Sequence, residues 1–141
     1  MFGEFALVVA ALFTGAAVYI NWSEQPARLG LDDHAMLAEW KPSYARGFQM
    51  QASLAVIGFI LGTLEALVTG RWIWFAGALA IIANWPFTLF VIMPVNKKLE
   101  ATPLESADEN TRALVERWGT LHGVRSALGA LSVGLFLWAS I

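Results

Sequence analysis

The chain has 141 residues, 57% hydrophobic and 14% charged, against about 45 to 50% and about 25% in ordinary globular chains, which leaves too little polar surface for a water-soluble domain. Its net charge of −2 provides no basic footprint for nucleic acid. Without cysteine, and with His34 and His122 as its only histidines, it lacks a disulfide framework, a thiolate nucleophile and a sulfur-ligated metal, and it has little from which to build a histidine cage.

A helix crossing about 30 Å of hydrocarbon needs about 20 mostly apolar residues, and four runs meet that length. The first, Phe5 to Ser23, is free of charge. Met1-Phe2-Gly3-Glu4 lacks the basic start of a signal peptide, and no small-residue cleavage site follows before Tyr19-Ile20-Asn21-Trp22, so residues 3–22 read as a span. A long connection follows, in which Asp32 and Asp33 are placed to cap a short helix ending near Trp40, and Pro42 suits the first turn of the next span.

The second run, Gly47 to Leu64, is free of charge and extends past Glu65, giving a span at residues 45–68; Glu65 is expected to reach water or Arg71. Thr69-Gly70-Arg71 then leaves room for a tight hairpin before the uncharged third span, residues 72–94. In the second long connection, Ser106-Ala107-Asp108-Glu109 has the form of a capping box. It predicts a fourth helix from near Ala107 of about 34 residues, or about 50 Å, projecting beyond the bilayer, with residues 118–140 as its span. The expected fold is all-α: one integral membrane four-helix bundle.

Arg28, Lys41, Arg46, Lys97, Lys98, Arg112 and Arg117 fall in the long connections and only Arg71 on the other side. The positive-inside rule therefore places both long connections in the cytoplasm and both termini outside, as in a bacterial inner membrane. Gly58 and Gly62, with Gly119, Gly123, Gly129 and Gly134, are expected to let helices approach closely. Trp72 and Trp74 at one end, and Trp22, Trp40 and Trp118 at the other, are expected as interfacial anchors.

Ionisable residues inside a span are expensive unless paired or hydrated. Trp118, His122, Arg125 and Gly129 form one stripe of the fourth helix. Asn84 and Thr88 share a face of the third, with Pro86 between them freeing a carbonyl. The second brings Tyr44, Arg46, Gln49 and Ser53 to the same end, and the first brings Tyr19, Asn21 and Glu24. One half of the bundle thus gathers polar groups from all four helices, with Glu24 the expected anion for Arg125 by depth. These groups serve either as staples between helices or as a half-buried pocket open to the cytoplasm or the lipid. His34, in a charged connection, is expected to be exposed.

Four segments carry a family resemblance: Tyr19 to Leu29 (YINWSEQPARL), Trp40 to Ala55 (WKPSYARGFQMQASLA), Asn84 to Leu99 (NWPFTLFVIMPVNKKL) and Trp118 to Arg125 (WGTLHGVR). Together they resemble the anthrone-oxygenase-like family of small four-span membrane proteins. The resemblance implies oxidation of an anthrone to an anthraquinone by O₂ without a bound cofactor; His122 and Glu24 could supply two metal ligands, but two make an incomplete site and no metal is expected. It singles out Glu24, Pro26, Arg28, Asn84, Pro86, Thr88, Asn96, Trp118, His122 and Arg125, while Gln25 stands where members often have a histidine.

The mechanism framed from these residues makes neutral His122 the base, Arg125 and Asn84 the stabilisers of the oxyanion, and Glu24 the group that holds Arg125 or orients His122. Trp118 is the stacking wall, with Thr88, Asn96, Arg28, Tyr44 and Gln49 as further substrate contacts. Expected partners are membrane lipids and a lipophilic aromatic or quinone-like molecule. The alternative is a non-catalytic subunit that holds a quinone, lipid or pigment, or that docks to a second copy or a larger membrane complex. Transport is disfavoured, since no paired broken helices are visible.

Overall fold

Three local signals divide the chain. The Asp32 carboxylate accepts the Ala35 N–H and starts a helix that runs to Thr69. Gly70, at φ 67, ends it in a left-handed conformation that a Cβ would strain. Asp108 starts the last helix: its carboxylate accepts the Thr111 N–H, and the Thr111 hydroxyl accepts the Asp108 N–H.

In the computed structural model, which describes residues 1–141, the result is four helices: α1 (Phe2–Leu29), α2 (Asp33–Thr69), α3 (Trp72–Ala101) and α4 (Glu109–Ser140). Each is long and apolar enough to cross a membrane. Phe5, Leu12, Ile60, Leu79, Phe90 and Trp138 point outward, the arrangement lipid contact favours, so the bundle is compatible with an integral membrane protein. α1 packs on α2 and α4, and α3 packs on the same two helices, giving an up-and-down ring.

Two cores stack along the bundle. One gathers Ala6, Ala10, Phe13, Ile73, Trp74, Ala78, Ile81 and Phe136 around small residues. A Cβ at Gly62 or Gly77 would lie 2.7 Å or 2.5 Å from the Phe136 ring, so those glycines admit the ring between α2 and α3. Gly58, Gly119 and Gly129 also face close neighbours, whereas Gly123 and Gly134 have nothing within 4 Å and pack no helix. The other core gathers Met36, Leu37, Trp40, Ile92, Val95, Leu99, Val115 and Trp118.

Several expectations need correction. The first long connection is not a loop: α1 continues to Leu29 and α2 begins at Asp33. Pro42 lies inside α2 rather than at its start, and Trp40 stacks on Tyr44 across it, ring centroids 4.8 Å apart, so packing holds the helix through the missing N–H. Arg112 clamps the short link, donating to the Leu29 and Leu31 carbonyls and to Asp33. The fourth-helix capping box is Asp108 with Thr111, while Ser106 lies in a 3₁₀ turn.

Trp22 and Trp72 are exposed as anchors should be, but Trp40, Trp74 and Trp118 are buried. Glu65 accepts the Gly3 N–H at 2.9 Å instead of meeting Arg71, a carboxylate held at a helix N-terminus. His34 is exposed as expected.

α1 and α3 each contain a wide π turn, Ile20–Glu24 and Thr88–Ile92. In each, the residue before a proline bonds five residues back: Gln25 N–H to the Ile20 carbonyl, and Met93 N–H to the Thr88 carbonyl. Pro26 and Pro94 lack the next N–H, so the ladder there is free to widen. Both wide turns lie at the polar end of the bundle.

Candidate functional site

Arg28, 2% exposed, is the fully compensated cation of this region. Its Nε donates to Glu39 at 2.6 Å, one Nη donates to Glu24 at 2.8 Å, and the other donates to the Gln25 amide oxygen at 3.0 Å. Glu39 also accepts from the Ser43 hydroxyl. Gln25 completes the arrangement by donating to the Val115 carbonyl, with Gly119 leaving room for its amide. Glu24 therefore belongs to Arg28 and neither holds Arg125 nor orients His122. The chain itself explains the difference: Glu24 and Arg28 are four residues apart in sequence, so they meet across one helical turn.

Arg125 is left without an anion. It is 6% exposed and forms no ion pair, and its Nε is buried without a partner. Its guanidinium lies 5.7 Å from the Phe13 ring centroid, a contact worth about 2 kcal/mol when desolvated and small against the cost of burying a lone cation.

His122 is oriented by Asn21, at 2.8 Å from its Nδ1. The Asn21 amide nitrogen donates to the Gly119 carbonyl and its oxygen accepts from the Ser126 hydroxyl. The atom facing His122 is thus an acceptor, so Nδ1 carries the proton and Nε2 keeps a free lone pair. The Trp118 ring lies beside the imidazole, centroids 5.0 Å apart.

Arg125 lines two cavities. One, of about 20 Å³, also borders Glu24, Arg28, Tyr44, Gln51, Trp118 and His122. The other, of about 10 Å³, lies between α2 and α3 and borders Asn84, Thr88, Phe48, Ala52, Trp85 and Leu89. Asn84 Oδ1, Thr88 Oγ1 and Gln51 Nε2 are buried without partners. Folded proteins rarely leave so many groups unmatched in one place. No three His, Asp or Glu side chains come together as a metal-binding group.

Of the residues expected from sequence, Glu24, Arg28, Tyr44, Trp118, His122 and Arg125 meet at the first cavity, and Asn84 and Thr88 meet Arg125 at the second. Asn96 lines neither; it donates to the Tyr44 hydroxyl at 3.0 Å and so positions that ring. Gln49 is exposed on the outer face, where it lines an open groove with Phe48, Ala52 and Trp85, and Gln51 is the inward glutamine that borders the first cavity. At about 100° per residue, Gln51 lies about 20° from Tyr44 around the helix and Gln49 about 140° away, so helical phase distinguishes them. The sequence places Asn21 among the polar groups of this half without pairing it to His122, and gives no role to Gln51 or Phe48.

No curated protein and no solved structure matches the chain. The anthrone oxygenase family model matches residues 40–135, a region that holds Tyr44, Asn84, Trp118, His122 and Arg125 but not Asn21, Glu24 or Arg28. That match covers well over half of the sequence, and the chain belongs to the anthrone oxygenase family.

Proposed function

We propose that the protein is a cofactor-free oxygenase acting on a lipophilic, enolisable aromatic of the anthrone or quinol type. The observation that carries this reading is Arg125: a buried guanidinium without an anion, bordering the same cavity as a histidine whose Nε2 is unbonded. A site of this kind stabilises negative charge that is brought in or formed there.

With an anthrone, His122 Nε2 takes a proton from the ring methylene and the electron pair moves onto the carbonyl oxygen, which Arg125 stabilises. The carbanion then passes its electrons to O₂ and forms a C–O bond, and the imidazolium returns its proton to the resulting peroxide. Loss of the second methylene proton with the terminal hydroxide leaves the new C=O and one water. One anthrone and one O₂ thus give one anthraquinone and one H₂O. Asn21 fixes the tautomer of the base, and Trp118 offers it a flat neighbour.

We also propose that the polar end of the bundle, with the α1–α2 and α3–α4 links, faces the cytoplasm, on the lysine and arginine distribution, and that membrane lipid is the route by which the substrate arrives. The test is O₂ consumption by purified protein with anthrone, corrected for spontaneous oxidation. Turnover is expected in the native chain, with a loss of about 10²- to 10⁴-fold in His122→Ala, the size of a general-base contribution. Unchanged turnover in that variant removes His122 as the base, and no turnover in the native chain defeats the oxygenase reading.

A further inference from the structure

Phe48 lines both cavities that meet at Arg125. In the cleft between α2 and α3, Arg125, Asn84 and Thr88 are each more than nine-tenths buried, and each carries an atom unpartnered within the protein. Arg125 Nε–H is a donor, Asn84 Oδ1 an acceptor, and Thr88 Oγ1 can be either. An oxygen that accepts from Arg125 and carries an O–H that donates to Asn84 satisfies both, as a hydroxyl does, and the unpaired cation favours an acidic one.

What surrounds that hydroxyl is apolar. The cleft shares Phe48, Ala52 and Trp85 with an open, outward-facing groove of about 710 Å³. Ala45, Ala52 and Ser53 form its low floor beside the larger Phe48 and Trp85. The Trp85 indole N–H donates to the Ala52 carbonyl at 3.2 Å, so its ring lies across the seam. The His122 cavity has a different approach, between α1 and α2, past Tyr19, Glu24, Ser43 and Arg46. Charged walls there suit water and protons rather than fused rings.

We propose that the α2–α3 seam is the binding site and entrance for an apolar aromatic molecule with an acidic hydroxyl, taken directly from the bilayer. The hydroxyl seats between Arg125 and Asn84, and the ring system displaces Phe48 to bring its reacting carbon to His122. The chemistry of the bound molecule rests on the oxygenase reading, but binding itself is separable from turnover.

The experiment uses the full chain in lipid nanodiscs, with empty discs as the blank. The probe is a monohydroxyanthraquinone whose hydroxyl lies away from the carbonyls, already at the oxidation level of the product, with its methyl ether for comparison. The native chain is expected to bind the hydroxyl probe at least about tenfold more tightly than the ether, the worth of one charge-assisted hydrogen bond. Arg125→Gln abolishes that preference. Ala52→Trp weakens binding by about tenfold or more and Ala52→Leu by less, as steric filling of a pocket requires, while Ala16→Trp, equal bulk in the α1–α2 groove, leaves it unchanged. Equal binding of probe and ether by the native chain overturns the proposal. So does native-like binding in a folded Ala52→Trp or, if that variant does not fold, in Ala52→Leu, and so does loss of binding in Ala16→Trp alone. The expected binding pattern without any O₂ consumption leaves this proposal standing and defeats the oxygenase reading.

Discussion

Phe136 and Arg125 lie on the same helix about three turns apart, and their surroundings are opposite. The Phe136 ring is fully buried, seated where Gly62 and Gly77 have no side chain, and tilted against Trp74 at 5.6 Å. Arg125 is almost as buried, yet it borders two cavities, and three other side chains near it leave polar atoms unmatched. A bundle able to close so tightly at one end has not done so at the other, where close packing would be worth more than a lone cation. The apolar half supplies cohesion, and the polar half withholds it in favour of a ligand.

The strongest way to break this contrast is to exchange what each half depends on. Arg125→Met is expected to lower turnover by about 10²- to 10³-fold, the cost of losing an oxyanion donor. Its thermal midpoint should stay level or rise, because an unpaired buried charge has been replaced by an apolar chain. A clear loss of stability in that variant would mean that Arg125 is a staple after all. Phe136→Ala is expected to do the reverse. It opens a cavity costing about 3 kcal/mol, at the lower end for this change because lipid also solvates an exposed ring. Turnover per folded molecule should hold. Unfolding in mild detergent with denaturant gives the first quantity, and O₂ uptake normalised to folded protein gives the second.

The same contrast explains what the sequence reveals. The helices are legible because membrane length and apolarity are properties of single segments. The polar half is legible as a collection, since His122, Arg125, Asn84 and Thr88 lie at helical spacing on inward faces. Pairing within it is less so. Depth alone matches Glu24 to Arg125, whereas its neighbour one turn away, Arg28, is the nearer cation. The wide turns at Ile20–Glu24 and Thr88–Ile92 shift helical phase beyond them, which a constant period does not anticipate. Polarity near the helix end points to Gln49, which lines the outer groove, while simple phase places Gln51 at the cavity. The capping box reads two residues early because Ser106 and Glu109 have the right types, while Asp108 and Thr111 have the right geometry.

That cap gives the smallest expected effect and isolates helix initiation from both halves. Asp108 lies outside the spans, and the Thr111 backbone N–H, first among its hydrogen bonds, holds its carboxyl below the ordinary value of 3.8. A carboxyl lowered by folding contributes stability that is complete above its unfolded value and lost as pH falls through the folded one. Asp108→Ala should therefore lower the thermal midpoint slightly at neutral pH, as loss of an N-cap does. The gap from the native chain should narrow below about pH 4, and it should shrink in high salt because the group is exposed. Turnover should be unaffected at either pH relative to the native chain. A gap that stays constant on acidification would show that the cap acts through its uncharged hydrogen bond alone, with the carboxylate charge adding nothing to the start of α4.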